Sequence, residues 1–127
     1  MQEAIRTYWE SGFSMLDTET YEEVADFLYD NLEEIPVVTY RGLQLAKGLE
    51  EGDTIPLQDM EGFASVSPDK GFAWNFALHG GYILVIPGRT LRGYRINEEE
   101  YLVVNEDMYV TKIEYDAKNH VHMVFCE

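Results

Sequence analysis

Apolar positions in the first quarter of the chain recur with the period of a helix. Ile5, Tyr8 and Trp9 stand at i, i+3 and i+4, and Ser11-Gly12 closes the segment, which predicts a short helix over residues 2–8. Over residues 18–32 the stripe is longer. Tyr21, Val24, Ala25, Leu28 and Leu32 share one face, while Glu22, Glu23, Asp26 and Asp30 fall on the other and read as a solvated surface. Asp17 or Thr18 offers a side-chain oxygen suited to the first amides of that helix.

After Pro36 the period shortens to that of strands, punctuated by Gly and Pro. Residues 37–40 predict a strand running into Arg41-Gly42, and Gly48, Gly52 and Pro56 mark the loops beyond it. Residues 62–67 predict a second strand. Pro68 suits the first turn of a helix with Ser67 as its N-cap, and that helix would carry Phe72, Ala73 and Phe76 inward until Gly80-Gly81 breaks it. Residues 82–86 are almost continuously apolar, as expected of a central strand. Residues 88–97, GRTLRGYRIN, hold three of the nine basic residues and read as an exposed cationic loop. Residues 100–104, 109–115 and 121–125 predict three further strands, divided by turn chemistry at 105–107 and 116–119, with the last two forming a hairpin. No repeat, linker or low-complexity tract interrupts the pattern, so residues 1–127 are expected to form a single α+β domain, helices first and strands after.

Composition narrows the function. With 46% hydrophobic residues the chain has the material for a core, despite a formal charge of −15. Twenty-four acidic against nine basic side chains repel nucleic acid and anionic membranes and favour basic partners. Glu3 and Glu10 stand where a signal peptide would be basic, no apolar run reaches membrane-spanning length, and the single cysteine, Cys126, excludes an intrachain disulfide. A cytoplasmic protein is the expectation. His79, His120 and His122 do not form a metal set: the last two share a strand face, but no third ligand is spaced to complete a site. A glycine-rich phosphate loop, a Cys-His pair and a GxSxG element are all missing.

Three short signals remain: Tyr40-Arg41-Gly42 at a strand end, Phe63-Ala64-Ser65-Val66-Ser67 in a strand before a helix, and Glu98-Glu99-Glu100 opening the apolar run Tyr101-Leu102-Val103-Val104. Each alone is common. In this order, with 24 residues from Arg41 to Ser65 and 35 from Ser65 to Glu100, they resemble the arginine-serine-glutamate class of mono-ADP-ribosyltransferases. That class has a strand with Arg followed by Gly, a strand reading Ser-Thr-Ser before a helix, and Glu-x-Glu or Gln-x-Glu opening an apolar strand. Phe63, Ala73 and Phe76 fit its wider pattern, and the N-terminal helices look like its helical part. Val66 departs from the usual threonine, which removes one hydroxyl, and the N-terminal region is short for the class.

The resemblance implies an N-terminal helical part, a mostly antiparallel two-sheet β core, NAD as substrate, no metal, and a small bacteriophage or bacterial type. It implies catalytic roles for Glu100, Glu98, Ser65 and Arg41. Glu100 would hydrogen-bond the ribose 2′-hydroxyl and oppose the charge that develops as nicotinamide leaves. Glu98, on the same face as Glu100 if the segment is extended, would orient the acceptor and take its proton. The Glu-x-Glu form goes with guanidinium acceptors in this class, which points to an arginine of a protein substrate. Arg41 would hold a phosphate of NAD, Gly42 would let the backbone approach the ligand, and Ser65 would support Glu100. Ser67 either lines the NAD site or only caps the next helix, and Phe76 packs either on nicotinamide or in the core. Arg92, Tyr94 and Arg95 are candidates for target recognition. Two other functions stay open: an NAD glycohydrolase of the same fold, with water as acceptor, and a non-enzymatic acidic inhibitor that mimics DNA.

Overall fold

A computed structural model describes residues 5, 18–44, 48–57, 63–77, 81–104 and 106–127, apart from the side chains of Thr18, Thr20, Tyr21 and Phe76. Helix α1 spans Thr18–Asp30. Strands β1 (Glu33–Glu34), β2 (Thr39–Leu43), β3 (Thr54–Pro56) and β4 (Phe63–Val66) follow, then helix α2 (Lys70–Ala77) and strands β5 (Tyr82–Ile86), β6 (Arg92–Arg95), β7 (Tyr101–Val104), β8 (Asp107–Asp116) and β9 (Val121–Cys126). Most of the helix predicted over residues 2–8 lies outside the described residues; Ile5 is helical and buried.

The strands form two sheets, one of four strands in the order β1-β6-β7-β4 and one of five in the order β2-β5-β9-β8-β3. Every pairing is antiparallel except β5 with β9. The α+β architecture with a mostly antiparallel two-sheet core is therefore as expected.

Alternation along the strands decides which side chains meet. Leu84, Ile86, Val124 and Cys126 face Ala64, Val66 and Val103 of the other sheet and make the main core. The intervening residues Ile83, Val121 and Met123 face α2 through Ala77 and Trp74. Strands β5 and β9 are thus apolar on both faces, which is why residues 82–86 read as an unbroken hydrophobic run. On the outer side of the four-stranded sheet, Val24 and Leu28 of α1 pack with Ile5, Phe63 and Leu102, while Glu22, Glu23, Asp26 and Asp30 stay exposed, as the stripe predicts. Burial also pushes the Cys126 thiol up to about 11.

Residues 88–97 are a correction. Instead of an exposed cationic loop, the segment supplies β6, paired to β1 on one side and β7 on the other, with Leu91 and Gly93 buried. A Cβ at Gly93 would stand 2.9 Å from Ile35 Cδ1 and 3.0 Å from the Leu102 carbonyl, so a glycine that looks like a turn signal is a packing requirement inside a sheet. Among the described residues no helix is long and apolar enough to cross a membrane.

Candidate active site

The three segments singled out in the sequence meet. Strand β4 pairs with β7 so that Ser65 stands opposite Leu102, and the residue just before β7 is Glu100. The Ser65 hydroxyl donates to Glu100 Oε2 at 3.0 Å. Arg41 reaches this corner from β2: its Nη1 donates to the Ser65 carbonyl at 2.9 Å and its Nε to the Leu57 carbonyl at 2.6 Å. Arg41, Ser65 and Glu100 are all half-buried. A cation from β2, a hydroxyl from β4 and a carboxylate from the residue just before β7 thus share one corner between the sheets.

The backbone joins the sheets at the same place. Tyr40 and Ser67 exchange N–H···O bonds of 2.7 and 2.9 Å, the bridge that ties β2 to the end of β4. Ser67 is 1% exposed, and its Oγ accepts from the Asp69 amide at 2.9 Å. The helix cap falls elsewhere than predicted. Helix α2 begins at Lys70, Asp69 Oδ1 accepts from the Gly71 amide at 2.8 Å, and the Asp69 carbonyl accepts from Ala73. Asp69 is therefore the N-cap, with Ser67 holding the turn that leads into it.

Behind the corner, Gly42 is explained by packing. A Cβ there would lie 1.9 Å from the Ala73 carbonyl oxygen, so the missing side chain makes room for the backbone of α2. Because side chains alternate across a strand, Arg41 points to the opposite face, toward Ser65. The Phe76 side chain lies outside the described residues.

In front, β6 and β7 are joined by a tight connection in which the Ile96 amide donates to the Glu100 carbonyl. Residues 97–99 are bends, not extended strand, so alternation does not place Glu98 and Glu100 on one face; Glu98 is exposed, as is Glu99. Asn97, absent from the sequence-based site, holds this connection: its Nδ2 donates to Glu100 Oε1 at 3.2 Å and its Oδ1 accepts from the Glu99 amide at 2.8 Å. An Asn before an acidic run is ordinary turn chemistry, so only the fold reveals the contact.

The three residues expected to recognise a target are engaged within the fold. Arg95 donates from Nε to the Asn97 carbonyl at 3.1 Å and from Nη2 to the Glu98 carbonyl at 3.0 Å, and its guanidinium lies over the Tyr101 ring. Arg92 donates to the Leu32 carbonyl at 2.9 Å. Tyr94 sits on β6, not in a loop, and meets Phe27 of α1 edge-on at 5.6 Å. A cleft of about 380 Å³ opens beside the hairpin, lined by Asn31, Glu33, Glu34, Pro36, Gly93, Tyr94, Arg95 and Tyr101, and does not include Arg41, Ser65 or Glu100.

Comparison of the whole chain with solved structures gives a consistent answer. The ADP-ribosyltransferase Vis in complex with agmatine superposes with a TM-score of 0.64 at 18% identity, over 99% of this chain and 72% of that one. The Vis toxin, an ADP-ribosyltransferase from Vibrio splendidus, gives 0.60 at 20% identity over 95% and 60% of the two chains. The fold is that of the ADP-ribosyltransferases. Exoenzyme S from Pseudomonas aeruginosa, in complex with human 14-3-3 protein beta and bound to carba-NAD, shares it with a TM-score of 0.58 at 21% identity, over 97% of this chain and 65% of that one. No protein-family model matches the sequence, and no curated protein matches it.

Proposed function

We propose that the chain is a mono-ADP-ribosyltransferase that moves ADP-ribose from NAD to an arginine of a protein substrate and releases nicotinamide. The observation that carries this reading is the Ser65–Glu100 hydrogen bond, with Arg41 braced against the Ser65 carbonyl, at a junction of the two sheets. One structural relative is bound to carba-NAD, and another to agmatine, whose guanidinium resembles the arginine head group; both support the choice of donor and acceptor.

Breaking the bond between ribose C1′ and the nicotinamide nitrogen leaves the bonding electrons on nicotinamide, which departs neutral. Positive charge then spreads over C1′ and the ribose ring oxygen, as in glycoside hydrolysis. A fixed carboxylate lowers the energy of that charge more than that of bound NAD, which is the condition for catalysis. Glu100 is fixed in this way, with Oε2 held by the Ser65 hydroxyl and Oε1 by the Asn97 amide. Arg41, held on the Leu57 and Ser65 carbonyls, carries a charge that favours the NAD diphosphate. The exposed Glu98, two residues away, accepts the proton lost by the acceptor guanidinium as its nitrogen attacks C1′.

Incubating purified protein with adenylate-labelled NAD and a cell lysate tests this. Glu100→Gln is expected to reduce nicotinamide release by at least about a hundredfold. Glu98→Gln should keep release while losing label on protein. Release with no labelled protein in wild type would replace the transferase by a glycohydrolase, and no release at all would overturn the reading and favour an acidic binding protein.

A further inference from the structure

Both oxygens of the Glu100 carboxylate are held in the free protein, one by the Ser65 hydroxyl and one by the Asn97 amide. We propose that Asn97 is a positioning residue that sets the rotamer of Glu100 for the reaction; this rests on the reading of Glu100 given above.

The partners of the Asn97 amide fix its orientation. The Glu99 backbone N–H can only donate, so the Asn97 atom facing it at 2.8 Å is the oxygen. The nitrogen is therefore turned toward Glu100, where it meets an acceptor at 3.2 Å. Asn97 is itself fixed from the other side, because Arg95 holds the carbonyls of Asn97 and Glu98 while its guanidinium rests over Tyr101. The chain of support runs from a cross-strand pair, Arg95 opposite Tyr101, through two carbonyls to one amide and then to the carboxylate.

Such support has a purpose at this position. Glu100 lies at the end of a hairpin connection, just outside β7, where sheet pairing does not restrain the side chain. A hydrogen bond from Ser65 fixes one oxygen, and a donor on the other oxygen opposes rotation about that contact. Both of these donors are neutral, so neither of them offsets the negative charge needed opposite a ribosyl cation. Arg95 thereby has a role other than target recognition, stabilising the bend on which Asn97 and Glu100 are presented.

The decisive variant is Asn97→Asp. It keeps the oxygen that accepts from Glu99, and so the bend, but exchanges the donor to Glu100 for a carboxylate oxygen. For nicotinamide release, kcat is expected to fall at least about tenfold, with KM for NAD within about twofold of wild type. The melting temperature should stay near the wild-type value, whereas Asn97→Ala loses both contacts and lowers stability as well. A residue that only caps the bend would give the opposite split, with kcat intact in Asn97→Asp, and that result overturns the proposal. A second readout needs no turnover: the Asn97 side-chain amide resonances in a ¹H–¹⁵N spectrum should move in Glu100→Ala. Resonances that do not respond overturn the contact, whereas resonances that respond in a protein releasing no nicotinamide leave the contact standing and remove the transferase reading instead.

Discussion

The two sides of strand β2 are built by different rules. On one side Gly42 lies against the backbone of α2 so closely that no methyl group fits, and the contact is one of shape. On the other side Arg41, Ser65, Asn97 and Glu100 are joined by directed hydrogen bonds, and the contact is one of chemistry. The packed side accepts no added atom, whatever its polarity. The polar side accepts changes of shape more readily than the loss of a donor. A working site on a small fold needs both, because hydrogen-bond geometry at the front is only as firm as the wall behind it.

Breaking the wall gives the largest effect. Gly42→Ala would place a Cβ 1.9 Å from the Ala73 oxygen, so β2 and α2 must separate. A loss of about 3 kcal/mol, roughly 10 °C in Tm, is expected by calorimetry, and activity should fall with it. Ser65→Ala tests the polar side. It removes the donor to Glu100 Oε2, and nicotinamide release should drop about tenfold while Tm changes little. If Ser65→Ala instead melted the protein while Gly42→Ala left it intact, the division between the two sides would be reversed. The smallest effect is expected at the edge of the wall. Asp69→Ala removes the cap of α2 and should cost about 1 kcal/mol in a denaturant titration, with kcat for nicotinamide release unaltered.

Much of this was legible in the chain before folding. The stripe of Val24 and Leu28 marks α1, the apolar run 82–86 is β5 to the residue, and the turn at 116–119 divides the final hairpin. Arg41, Ser65 and Glu100 could be picked out because their order and spacing resemble the motif of a known enzyme class, and the fold brings the three together. What the sequence hid was governed by long-range packing. Strand β6 looks like a loop because its glycine and arginines are turn and surface residues by composition, yet Gly93 is demanded by Ile35 and Arg92 bonds a carbonyl 60 residues away. Strands β1 and β3 have two and three residues, too few for alternation to register. The Glu98 argument presumed an extended segment, and the bends at 97–99 remove that premise. Ser67 looked like a cap because serine suits the position, but Asp69, two residues later, takes it.

The Arg41 guanidinium has a further consequence for how the molecule assembles. Strand β2 lies at one edge of the five-stranded sheet, and Leu57, whose carbonyl receives Nε, directly follows β3 at the opposite edge. That bond joins the two edges of one sheet, whose interior is the parallel β5–β9 pair and whose longest loop is closed by β3 against β8. The bond to the Ser65 carbonyl further requires the second sheet to be in place. The arginine thus ties both edges of one sheet to the other sheet, and a chain lacking any of these pairings lacks the finished corner.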